Sequence, residues 1–179
     1  NNSIVGTFTR TAAGAVTVTT SNSISGNSTI NNYINNNFSN VTLTGASTVL
    51  GFNNTDGGTG STKQITGNTF NNWSGTTGSM NFMNFNYWNG ASNLANNTIT
   101  NMAGQGAITA VTIGATANNA TQLNVNGNTI NNLTSSGTGG AVTGITCSNT
   151  SASISIFDNA IHTLSSTGAS AVNGIIIGG

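Results

Sequence analysis

A seven-residue phrase, Gly127-Asn128-Thr129-Ile130-Asn131-Asn132-Leu133, returns in variant form along the whole chain, and nothing else in the sequence restricts the fold as strongly. Its kernel is Asn-x-Ile/Phe, read as Asn2-Ser3-Ile4, Asn32-Tyr33-Ile34, Asn68-Thr69-Phe70, Asn97-Thr98-Ile99, Asn128-Thr129-Ile130 and Asn159-Ala160-Ile161. The apolar residues of successive boxes lie 30, 36, 29, 31 and 31 positions apart. A second marker follows each box, at Gly14-Ala15-Val16, Ala46-Ser47, Ser79-Met80, Ala107-Ile108, Ala141-Val142 and Ala171-Val172. A third precedes it, at Ile30, Ile65, Leu94, Val125 and Ile156. Three markers in constant order describe a unit with three apolar segments. A unit that small cannot bury its apolar side alone, so it must stack on its neighbours.

The segments are short and rich in Val, Ile and Thr. Apolar positions alternate within them, as in Leu123 and Val125, Ile154 and Ile156, or Ile175 and Ile177, which is the period of a strand. Gly, Ser, Asn and Thr clusters between them supply turns. The pattern predicts an all-β fold: a parallel β-helix, or solenoid, of about six coils with three short strands per coil. With coils about 4.8 Å apart, such a rod is on the order of 30 Å long. The whole chain, 1–179, reads as a single domain of this kind with no polar cap at either end, and residues 20–40 can be threaded in more than one register. The predicted interior column is Ile34, Phe70, Ile99, Ile130 and Ile161. Asn32, Asn68, Asn97, Asn128 and Asn159, two places before each of these, are predicted to form a structural asparagine ladder at a corner. Asn36, Asn72, Asn101 and Asn132 make a second row, broken by Thr163.

Charged residues are 2% of the chain, with two Lys+Arg, two Asp+Glu and zero net charge. Nucleic acid requires a basic footprint, so it is an improbable partner. Charge that would hold copies apart is missing, so self-association is expected. No apolar run approaches membrane-spanning length, and no membrane insertion is expected. Asp56 and Asp158 fall in different coils, whereas glycoside hydrolysis needs two facing carboxyls. One histidine, His162, and one cysteine, Cys147, do not make a zinc site. Cys147 sits at an inward strand position as a small hydrophobe. Gly137-Thr138-Gly139-Gly140 lacks the lysine and helix of a phosphate loop. No catalytic residue, cofactor or metal is expected, and the chain does not read as an enzyme. Sequons at Asn37, Asn40, Asn72 and Asn132 are frequent enough to follow from composition alone. Tyr87 and Trp88, in the bulky run from Met80, are candidates for stacking on a glycan ring.

The order Leu123-Asn124-Val125-Asn126-Gly127-Asn128-Thr129-Ile130-Asn131-Asn132-Leu133, followed by Gly140-Ala141-Val142-Thr143-Gly144-Ile145, resembles the right-handed parallel β-helix repeats of the pectate-lyase-like superfamily. It is most similar to the Asn/Thr/Ser-rich repeats of large secreted bacterial surface proteins. The resemblance implies a right-handed coil and an extracellular or cell-surface location. Lyases of that superfamily use calcium-binding aspartates and a catalytic Arg or Lys. Arg10 and Lys63 have no acidic cluster nearby in sequence, so no catalytic role carries over. The expectation is an extracellular structural solenoid that associates end to end with copies of itself as a filament, sheath or surface layer. The alternative is a carbohydrate-binding or adhesive module, and a polysaccharide-degrading remnant is a more distant third.

Overall fold

A computed structural model describes residues 1–21, 30–56, 62–114, 117–148 and 154–178. Every regular element among them is a strand. In chain order they are β1 Ser3–Ile4, β2 Phe8–Arg10, β3 Gly14–Ser21, β4 Ile30–Ile34, β5 Asn37–Leu43, β6 Ser47–Asn54, β7 Thr62–Thr66, β8 Thr69–Ser74, β9 Met80–Phe85, β10 Trp88–Ala95, β11 Thr98–Gly104, β12 Ile108–Ile113, β13 Ala117–Asn126, β14 Thr129–Ser135, β15 Val142–Cys147, β16 Ile154–Phe157, β17 Ala160–Ser166 and β18 Val172–Ile177.

From β2 to β15 each strand pairs in parallel with the strand three elements on, so the chain winds through three sheets in turn. Sheet A runs β1-β5-β8-β11-β14-β17, with β2 sharing the first rung against β5; sheet B runs β18-β15-β12-β9-β6-β3; sheet C runs β16-β13-β10-β7-β4. The result is a parallel β-solenoid of about five turns with three strands per turn. Period-2 alternation then decides what fills it. Every second side chain of each strand enters the interior, and parallel register places it over its counterpart one coil away.

In sheet A the inward column is Ile4, Phe38, Phe70, Ile99, Ile130 and Ile161. Four of its predicted members, Phe70, Ile99, Ile130 and Ile161, stand directly over one another. Ile34 does not belong to it: Ile34 lies in β4 on sheet C, pairs with Thr66, and faces outward at 41% exposure. Phe38 takes its place. The same shift puts Tyr33, not Ile30, into the interior column with Ile65, Leu94, Val125 and Ile156. In sheet B the column is Val16, Val49, Met80, Ile108, Val142 and Val172.

The interior is graded. In the early coils it is aromatic: Phe52 meets Phe70 edge-on at 5.0 Å, Trp73 meets Phe82 edge-on at 5.4 Å, and Phe38 lies 5.6 Å from Phe70. The Trp73 indole N–H donates to the Phe38 carbonyl at 2.9 Å, so its polar end is satisfied inside the stack. Later coils are aliphatic, with Val111, Ile113, Leu123, Val125, Leu133 and Ile145 all buried. Each fully buried side chain of this size stabilises the rod by about 1.5–3 kcal/mol.

Candidate functional site

The corner between sheets C and A carries the most regular polar geometry in the molecule. Asn2, Asn36, Asn68, Asn97, Asn128 and Asn159 form one column. Asn36, Asn68, Asn97 and Asn128 are buried. Each residue from Asn2 to Asn128 gives its backbone N–H and a side-chain N–H to the Oδ1 of the asparagine one coil later. The backbone distances are 2.8 Å from Asn2 to Asn36, 3.1 Å from Asn36 to Asn68, 2.9 Å from Asn68 to Asn97, 3.0 Å from Asn97 to Asn128 and 3.1 Å from Asn128 to Asn159. The Nδ2 groups follow the same path at 2.8–3.2 Å. The remaining amide hydrogen reaches back to a strand of sheet C, from Asn68 to Tyr33 O, Asn97 to Ile65 O, Asn128 to Leu94 O and Asn159 to Val125 O. Asparagine alone supplies two donors and a doubly accepting oxygen at this reach.

Asn68, Asn97, Asn128 and Asn159 were assigned to this ladder from the sequence. Asn32 is not a member: it is exposed on β4 opposite Gln64, and Asn36 holds the position. The residue before each member explains the local turn. Asn35, Gly67, Asn96, Gly127 and Asp158 all have φ between 53° and 67°, the left-handed region that Gly, Asn and Asp adopt most easily. The αL residue turns the chain and the asparagine after it points inward.

A second row lies on the outer side of sheet A. It comprises Asn40, Asn72, Asn101, Asn132 and Thr163, all with φ between 54° and 63°. Asn72 donates to Asn40 at 2.8 Å and Asn132 to Asn101 at 2.7 Å, while Asn101 turns to Asn71 at 2.7 Å. Asn36 had been grouped with this row. It belongs to the inner ladder, and Asn40 begins the outer one.

The suggested glycan contact does not survive at Trp88, which is fully buried under sheet C. The φ of 57° at Tyr87 reverses the alternation, so Trp88 turns inward and packs 5.8 Å from Phe85. Beside it lies a feature the sequence reading missed. Lys63 is buried, donates Nζ to the Tyr87 carbonyl at 2.9 Å and sits 5.9 Å from the centre of the Trp88 ring. Burial pulls its pKa down from 10.5 to about 8, with the charge of Asp56 partly opposing. Asp56 is buried too, accepting from the Ser21 hydroxyl and from Asn54 Nδ2 at 3.2 Å; Asn54 also donates to the Tyr33 hydroxyl at 3.0 Å. The signal was present in the alternation: Lys63 stands two places before inward Ile65. Among the described residues no group of three or more His, Cys, Asp or Glu side chains comes together. His162 is exposed and bonded locally to Thr163, and Cys147 is buried on β15.

Among the described residues, apolar side chains are exposed in the first and last coils. The inward columns emerge into solvent as Ile4 and Phe8 at one end and Val172, Ile175 and Ile177 at the other, with Ile177 73% exposed. At the β1 end the interior opens as a cavity of about 340 Å³ lined by Asn2, Thr19, Tyr33, Asn36, Phe38 and Phe52 among others. Beside it is a smaller one of about 150 Å³ between Ile4, Phe8, Val16 and Trp73. Comparison with protein-family models, with curated proteins and with solved structures finds no match.

Proposed function

We propose that this chain is a structural β-solenoid, not an enzyme, whose rod ends associate with further copies to build a filament, sheath or surface layer outside the cell. One observation carries the reading: in all three sheets successive coils pair edge to edge in parallel register, so the rod is held together by a repeated contact of the kind that further copies can add to. Open parallel edges are templates for further strands, and a contact between unlike ends propagates instead of closing. Zero net charge offers no long-range repulsion against it. The extracellular setting rests on the likeness of the Asn/Thr/Ser-rich coils to secreted surface repeats, as does a right-handed winding. The alternative of glycan adhesion rests on the Asn/Thr faces and half-buried Tyr87, without Trp88, which is interior.

The test is sedimentation velocity and electron microscopy of the purified chain at neutral pH across a concentration series. Rods that lengthen with concentration are expected. A single 17.9 kDa species at every concentration would overturn the proposal.

A further inference from the structure

The interior at the corner between sheets B and C is not wholly apolar. Asn54, the last residue of β6, and Lys63, in β7, are both fully buried, and Asp56 is buried with them. Aromatic rings wall the site: Tyr33 stands 5.6 Å from Phe85, Phe85 stands 5.8 Å from Trp88, and Lys63 Nζ lies 5.9 Å from the centre of the Trp88 ring. Two contacts with consecutive residues bring Asn54 and Lys63 to the same place. The Asn86 N–H donates to the Asn54 carbonyl at 3.0 Å, and Lys63 Nζ donates to the Tyr87 carbonyl at 2.9 Å. Asp56 holds the Asn54 amide at both its atoms. Its backbone N–H donates to Asn54 Oδ1 at 3.0 Å, and its Oδ2 accepts from Asn54 Nδ2 at 3.2 Å. The Asp56 charge also acts on the Lys63 amine. A stack held by apolar burial has no need of an interior amine, which is costly to desolvate.

We propose that Lys63 and Asn54 are a self-reacting pair, which the folded chain joins through an isopeptide bond with Asp56 carrying the proton. The nucleophile is the neutral amine. Burial draws its pKa from 10.5 to about 8, so it holds a larger neutral fraction near neutral pH than an exposed lysine does. The electrophile is Asn54 Cγ. As Nζ bonds to it, the carbonyl electron pair moves to Oδ1, where the Asp56 N–H meets the developing charge in a site closed to water. The Asp56 carboxylate takes one proton from Nζ and passes it to Nδ2, its hydrogen-bond partner. The Cγ–Nδ2 bond then breaks, ammonia leaves and the carbonyl re-forms. An amine and a primary amide have become a secondary amide and ammonia, with no change of oxidation state. The geometry described is the one before reaction, and the flexible four-carbon stem of Lys63 carries Nζ from the Tyr87 carbonyl to Asn54. Until the bond forms Lys63 keeps an amine that titrates; the linked chain has none.

Mass spectrometry reads the bond directly. Chymotrypsin cuts after Phe52 and Phe70, and no aromatic, leucine or methionine lies between them, so both partners leave in one peptide, 53–70. Trypsin divides that peptide after a free Lys63 and not after an acylated one. From wild-type protein held at pH 8, the expected peptide is lighter than its sequence by one ammonia, resists trypsin, and gives no backbone fragments between residues 54 and 63. The Asp56→Asn chain, shown by circular dichroism to keep its β-structure, should yield a peptide of its full sequence mass that trypsin divides at Lys63. A wild-type peptide of full mass, or a lighter one still cut at Lys63, would overturn the proposal whatever the variant does. A bond that forms equally in folded Asp56→Asn protein would overturn the part given to Asp56.

Discussion

Removing one amide from the middle of the inner ladder should cost far more than removing one from the outer row. In Asn128→Ala, Asn97 loses the acceptor of its backbone N–H at 3.0 Å and of its Nδ2 at 2.9 Å. Leu94 O and Asn159 Oδ1 lose donors at 3.0 and 2.8 Å. The site is 1% exposed, so water does not replace them without opening the corner. An ordinary hydrogen bond contributes about 1 kcal/mol net, but a buried group left unsatisfied costs about 1–3 kcal/mol. Two orphaned donors and one carbonyl, only partly additive, give a loss of about 3–5 kcal/mol. The reference variant is Asn132→Gly, which removes an exposed amide and its bond to Asn101 while keeping the left-handed backbone. It should cost less than about 0.5 kcal/mol. Urea unfolding followed by tryptophan fluorescence and circular dichroism measures both, and hydrogen exchange at Asn97 locates the effect. Near-equal stability of the two variants would refute the claim that this ladder is a buried structural element.

Two further outcomes follow from the backbone and from the buried charge. Thr163 holds φ of 55° where the row above it has asparagine, a costly conformation for a β-branched residue; Thr163→Asn should stabilise the chain by about 0.5–1 kcal/mol and raise Tm by about 2–4 °C in calorimetry. Lys63, with its folded pKa lowered to about 8, loses its proton in the folded state before the unfolded chain does. The unfolded state then binds more protons between pH 8 and 10.5, so stability rises with pH across that window. Burial raises the Tyr33 pKa above 10.0, so above pH 10 the unfolded chain gives up that proton first and stability falls. In chains whose Lys63 amine is still free, urea midpoints from pH 7 to 11 should therefore pass through a maximum near pH 10, and Lys63→Met should abolish the rising limb.

How much of this was legible follows from which contacts decide each position. The three segments per coil and the columns from residue 68 onward are written in spacing, because in-register stacking makes each coil repeat its neighbour; the count of about six coils from the boxes compares with about five turns in the structure. The register of the second coil is not. Asn31-Asn32-Tyr33-Ile34 and Asn35-Asn36-Asn37-Phe38 present the same local pattern twice, and both satisfy alternation. The choice is made by groups distant in sequence: Asn68 Oδ1 accepting from Asn36, Phe70 packing on Phe38, and Asn54 Nδ2 donating to the Tyr33 hydroxyl. Trp88, offered as a possible glycan contact, lies inside because the chain turns at Tyr87, whose φ of 57° the local sequence does not announce. The ladder's direction lay beyond sequence altogether, as the same asparagines could have bonded either way along the rod.

The near absence of charge has a physical cause in the same stacking. Parallel register places equivalent residues directly beside one another at about 4.8 Å, so one charge per repeat would become a column of like charges. Two such charges repel by about 0.9 kcal/mol even in water. Outward columns are accordingly built of Thr69, Thr98 and Thr129 on sheet A, or Asn84, Thr112 and Thr146 on sheet B. Single lysines at Thr69, Thr98 or Thr129 should each change stability by less than about 0.5 kcal/mol. Combined, they create two adjacent repulsions, and the triple variant should lose about 1–2 kcal/mol beyond the sum of the singles, an excess that shrinks in 1 M salt as screening shortens to about 3 Å. Strict additivity at low salt would mean that the columns are not in register, and the inner ladder, which depends on the same register, would fall with them.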